Sequence, residues 1–70
     1  MEQAHYSMVI EWSDEDATFI VTIPELPSAR THADTYTAAA EEGQRLIEEW
    51  VEIAQEHGWP IPQPRAFAGV

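Results

Sequence analysis

Apolar residues fall at every second position over two short stretches and at every third or fourth position over one long one. From His5 to Trp12, Tyr6, Met8, Ile10 and Trp12 share one side, and His5, Ser7, Val9 and Glu11 share the other. That is the period of a half-buried strand. Thr18 to Ile23 repeats it, with Phe19, Val21 and Ile23 on one side and Thr18, Ile20 and Thr22 opposite. Between the two runs lies Ser13-Asp14-Glu15-Asp16, a polar break suited to a hairpin turn, so the runs are expected to pair antiparallel. Ala29 to Ala33 offers a short third strand with a weaker alternation.

The period then lengthens. Tyr36, Ala39, Gly43, Leu46, Trp50, Ile53 and His57 form one stripe, widened by Ala40, Ile47 and Ala54, while Glu41, Glu42, Glu48, Glu49, Glu52 and Glu56 occupy the opposite side. This is an amphipathic helix of about 22 residues, roughly 33 Å long at 1.5 Å per residue. Asp34 or Thr35 can cap its start and Gly58 its end. His57 beside that end complements the helix dipole, and Glu41 with Arg45 makes a favourable i,i+4 pair. Gly43 lies on the buried stripe, where it costs about 1 kcal/mol relative to Ala, so a close approach of the sheet backbone is expected there.

Prolines mark the remaining segments. Ile23-Pro24-Glu25-Leu26-Pro27-Ser28 follows the second strand directly. Pro24 has no N–H for a ladder, and Pro27 holds Leu26 extended. Leu26 is expected to turn into the core, with Glu25 left in water. In Trp59-Pro60-Ile61-Pro62-Gln63-Pro64 the alternating prolines exclude a helix and favour extended backbone. Ala66 to Val70 could add a last short strand. The expected architecture is α+β, β-β-β-α-(β): an antiparallel three-stranded sheet on one long helix. It forms a single domain over residues 1–70, with a core at about 5–58 and a Pro-rich tail at 59–70.

Composition narrows what such a domain can do. At 70 residues the core is small, and the absence of cysteine removes disulfides and most structural zinc sites. Self-association is the remaining support, and Trp12, Trp50 and Trp59 point the same way. Thirteen acidic residues against three basic ones give a net charge of −10. A domain this acidic repels phosphate backbones, so direct nucleic-acid binding is not expected; solubility is the plain reading of such charge and attraction to a basic partner the sharper one. No apolar run approaches the ~20 residues of a membrane span, and the N-terminus lacks the basic start and apolar stretch of a signal peptide. A cytoplasmic protein is expected.

Candidate chemistry is sparse. His5, His32 and His57 sit on different elements, without the spacing of a metal site. Asp14, Glu15 and Asp16 stand together in the turn, but no glycine supports a calcium loop. There is no nucleophile elbow and no glycine-rich phosphate loop. The two proline segments could serve as PxxP-type ligands, a match common by chance. No catalysis, cofactor or metal is expected.

The ordered set YSMVIEWSDEDATFIVTIPELPSARTHADTYTAAA, followed by the acidic helix and a PIP tail, resembles the HicB family, the antitoxin half of a prokaryotic toxin–antitoxin pair. The resemblance covers about residues 5–65. It is carried by Trp12 with the acidic turn, by Val21 through Pro27, and by Arg30, Thr31, His32, Asp34, Thr35 and Tyr36. It implies a partial RNase H-like fold without that enzyme's catalytic apparatus. It also implies binding to a small basic RNA-cleaving toxin, HicA, whose catalytic surface the antitoxin covers, and assembly into dimers or larger homo-oligomers.

Two departures stand out. Many family members carry a helix-turn-helix or ribbon-helix-helix segment after the core. This chain ends five residues past Arg65, so operon repression is not expected. The family often has a glycine after PELP, where Ser28-Ala29 stands here, so a different backbone path is expected in that loop. The leading expectation is a HicB-like antitoxin whose partner contacts, chosen by exposure and charge, are Glu11, Asp14, Glu15, Asp16 and Glu25. The alternative is an orphan homo-oligomeric interaction module of the same fold, without a toxin partner. A third reading borrows from RNase H, with Glu11, Asp14 or Asp16 as metal ligands; nuclease activity in Mg²⁺ or Mn²⁺ would mark it.

Overall fold

The computed structural model describes residues 5–64 of the chain. Three strands, β1 (Val9–Ser13), β2 (Thr18–Thr22) and β3 (Arg30–Ala33), are followed by a 22-residue helix, α1 (Tyr36–His57). The sheet order is β1-β2-β3, antiparallel throughout. This is the expected α+β architecture, an antiparallel three-stranded sheet with one long helix packed on it. The stretch 59–64 is neither helix nor strand, as its prolines require. The expected last strand falls outside the described residues.

The register sorts the side chains into two faces. Ile10–Val21–Thr31 and Trp12–Phe19–Ala33 form rows toward α1, and Val9–Thr22–Arg30 and Glu11–Ile20–His32 form rows on the outer face. The helix lies chiefly over β3 and β2 and barely reaches β1. Val21, Ala33 and Ala39 form one buried cluster, and Ile23, Leu26, Ala29 and Ile47 form another. Met8 packs against both.

Both helix caps follow from sequence. The Thr35 hydroxyl accepts the Ala38 N–H at 3.0 Å, and Gly58 takes a left-handed φ of 68° while Trp59 N–H returns to the Ala54 carbonyl. The buried stripe is narrower than expected. Ala39, Gly43, Ile47 and Ala54 are buried, whereas Tyr36, Ala40 and Ile53 are exposed. Tyr36 belongs to the first turn, at the end of the helix where the sheet gives it little cover. The single ion pair among the described residues joins Arg45 to Glu42 at 3.4 Å, an i,i+3 contact in place of the expected Glu41–Arg45 pair.

Gly43 is indeed a point of close approach, but of side chains. A Cβ there would lie 2.6 Å from Met8 Sδ and 3.1 Å from Val21 Cγ1.

The first strand begins later than the alternation predicts, and the proline explains why. Continuing the β1–β2 register would set Ser7 opposite Pro24, which has no N–H to give to the Ser7 carbonyl, so the ladder stops short of that pair. The Ser7 N–H donates to the Glu25 carboxylate at 3.0–3.1 Å, and the Ser7 hydroxyl donates to it at 2.8 Å. Glu25 is therefore half-buried and engaged, which corrects the expectation that it stays in water. Leu26 does turn inward and is 2 % exposed. Its N–H donates to the Ile23 carbonyl, and Ala29 N–H donates to the Leu26 carbonyl. Ala29 carries the β2–β3 register one pair beyond β3 by accepting from Ile23 N–H. Ser28 adopts φ 61°, the left-handed conformation that serine tolerates poorly.

Candidate functional site

The hairpin β1–β2 closes through Asp14, Glu15, Asp16 and Ala17, with Ala17 at a left-handed φ of 53°. All four are exposed. The turn is tied by its own polar groups. Asp16 N–H donates to Ser13 Oγ at 3.3 Å, and the Ser13 hydroxyl lies 3.2 Å from an Asp16 carboxylate oxygen. The Asp14 carboxylate accepts from the Trp12 indole N–H at 2.8 Å.

Trp12 is the residue whose environment the alternation misjudged. It lies on the helix side of the sheet, in the row with Phe19 and Ala33, yet it is 52 % exposed, because the helix covers β3 and β2 and leaves the β1 edge open. Its ring meets Phe19 edge to face with centroids 5.0 Å apart, and Phe19 meets Tyr36 at 4.4 Å. Tyr36 is 68 % exposed. Rings from β1, β2 and the start of α1 thus meet at the turn end of the sheet, with Trp12 and Tyr36 open to solvent. Neither Trp12 nor Tyr36 was among the candidate contacts. The available signal was positional: Trp12 lies two residues before an acidic turn, and Tyr36 directly after a helix cap.

The five candidate acids do not form one group. Glu11 is exposed on the outer face, in the row with Ile20 and His32. Asp14, Glu15 and Asp16 lie in the turn, at the β2 end marked by Thr18. Glu25 lies past Thr22, at the opposite end of a strand about 13 Å long. Among the described residues no three His, Asp or Glu side chains are placed to hold a metal ion together. Asp14 is engaged by the Trp12 indole and Asp16 by Ser13, and Glu11 faces a different side of the sheet from the aromatic row.

A second apolar surface lies where the helix ends. Trp59 is 50 % exposed and stacks on His57, with centroids 5.0 Å apart and rings 19° from parallel. Its indole also lies 6.3 Å from that of Trp50, while Ile53 and Ile61 nearby in sequence are exposed. The extended tail is fastened on the other side, where the Tyr6 hydroxyl donates to the Pro62 carbonyl. Desolvation, and secondarily the Glu25 carboxylate, push the Tyr6 phenol above its ordinary value.

The acidic hairpin, the proline loop and the capped helix lie within one family pattern: the UPF0150-like family model matches residues 1–62. The chain belongs to the UPF0150-like family. No curated protein and no solved structure matches it at a significant level. Among the described residues of this UPF0150-like chain, no helix is long and apolar enough to cross a membrane.

Proposed function

We propose that this UPF0150-like chain is a HicB-like antitoxin domain that binds and neutralises a HicA-type RNA-cleaving toxin in the cytoplasm, by protein contact and without catalysis. The observation that carries the reading is the charge of the exposed surface. The net charge is −10, and Glu11, Asp14, Glu15 and Asp16 all lie open to solvent. A protein that cleaves RNA must present a cationic surface to the phosphate backbone. An acidic domain competes for that surface, is steered to it at long range, and then holds it by burying apolar groups. The ordered residues from Tyr6 to Tyr36 that resemble HicB support the same partner.

The test is to mix the purified chain with a HicA-type toxin and follow complex formation and RNA cleavage. Co-elution with loss of cleavage is expected, with an association rate that falls steeply as salt is raised. Separate elution with undiminished cleavage overturns the proposal.

A second reading, an orphan homo-oligomeric module of the same fold, is favoured by the exposed apolar surface of Ile53, Trp59 and Ile61 at the end of the helix. It requires a sedimentation mass above 7.9 kDa without any toxin present. A monomer at micromolar concentration eliminates it.

A further inference from the structure

An exposed tryptophan normally loses side-chain entropy when a partner covers it. Trp12 has already lost much of that freedom. Its indole N–H is held by Asp14 at 2.8 Å and its ring edge abuts Phe19, although half of its surface faces water. Tyr36, more exposed still, also packs on Phe19, with centroids 4.4 Å apart. An aromatic surface fixed in place before binding is the kind of feature that concentrates binding energy in protein interfaces.

Charge decides what it fits. Asp14 accepts from Trp12, and Asp34 follows Ala33, which pairs with Phe19; both residues are exposed. No cation of the described residues offsets them locally. Arg30 pairs with Thr22, about 10 Å along β2 from Phe19, and Arg45 is bound to Glu42 about 13 Å along the helix from Tyr36. His32 lies on the opposite face of the sheet from the rings. A flat cation suits such a site better than a compact one, because a guanidinium stacks on a ring while its N–H groups reach carboxylates at the rim.

We infer that the Trp12–Phe19–Tyr36 surface is the docking point for an arginine-presenting segment of a basic protein partner, the guanidinium stacking on Trp12 or Tyr36 with Asp14 at its edge. As an assignment of the toxin contact this rests on the antitoxin reading, but the surface can be tested without the toxin.

The full chain, labelled with ¹⁵N, is titrated with a hexa-arginine peptide, with hexa-lysine as the control, and the three tryptophan indole resonances are followed. The Trp12 indole is expected to shift saturably, the Trp50 and Trp59 indoles to stay in place, and hexa-lysine to bind several-fold more weakly. Trp12→Ala and Tyr36→Ala should each weaken hexa-arginine binding about tenfold. Tyr36 is exposed on the first helical turn, so its replacement leaves a folded protein even if that of Trp12 does not. Equal movement of all three indoles, equal binding of hexa-lysine, or unchanged binding by folded Tyr36→Ala overturns the assignment. Both variants are then measured against the toxin. Toxin binding that survives both unchanged removes this surface as its contact and leaves the antitoxin reading standing. Hexa-arginine binding at Trp12 by a chain that ignores the toxin has the opposite meaning.

Discussion

Replacing Gly43 by alanine sets two calculable effects against each other. Alanine is better than glycine by about 1 kcal/mol inside a helix. The added methyl would lie 2.6 Å from Met8 Sδ, 2.7 Å from Met8 Cε and 3.1 Å from Val21 Cγ1. The Met8 contacts involve the end of a flexible, half-buried side chain that can swing away, at the loss of its packing on both core clusters. Val21 has no such escape, since it is fully buried, β-branched and on the central strand. Overpacking of this kind costs about 1–3 kcal/mol, so the clash outweighs the helix gain. Gly43→Ala should lose about 1 kcal/mol net, or about 4–8 °C in Tm for a domain of this size. Urea unfolding followed by tryptophan fluorescence reads this directly. The cycle with Met8→Ala isolates the cause: with the methionine gone, the alanine at 43 should be better tolerated, giving a coupling of about 1 kcal/mol. A Gly43→Ala protein more stable than the parent, or a cycle that is additive, would show that the glycine is not there to admit Met8.

Other expectations concern the loops and the tail. Ser28→Gly should stabilise the fold by about 0.5–1 kcal/mol, because φ 61° strains serine and not glycine; a loss of stability in thermal unfolding would refute the strain. Glu25→Gln weakens a charge-assisted acceptor of the Ser7 N–H and hydroxyl, and should cost about 1–2 kcal/mol with faster hydrogen exchange at Ser7. Unchanged exchange would mean that the carboxylate does not hold the N-terminal segment. Tyr6 has its folded-state value raised above 10.0, so its contribution is complete below pH 10 and is lost as the pH rises through the folded value. The measured stability should fall in that alkaline window, and Tyr6→Phe should fall less steeply; identical slopes would contradict the assignment.

Most of the architecture was legible because it is a property of neighbouring residues. Alternation at two residues, a polar turn, a capped helix from Tyr36 to His57 and a proline after β2 each act within a few positions, and the elements appear in the expected order, with β1 starting later and the buried stripe narrower than the pattern alone suggests. Thr35 and Gly58 are the clearest cases, since a cap needs only its own side chain or its own φ. What the chain alone could not decide is which surface the helix covers. Periodicity assigns a residue to a face but not to a covered part of that face. Because α1 lies over β3 and β2, Trp12 on β1 and Tyr36 at the helix start are open although both follow the apolar pattern. Glu25 shows the reverse: an acid expected in water is engaged because the segment before β1 passes the proline loop and brings the Ser7 N–H and hydroxyl to its carboxylate. The sequence by itself determined the strands, the helix and its ends, through local sterics and burial period. Only the tertiary structure decided the aromatic surface, the neighbour of Gly43 and the partner of Glu25, because each depends on atoms brought together from distant parts of the chain.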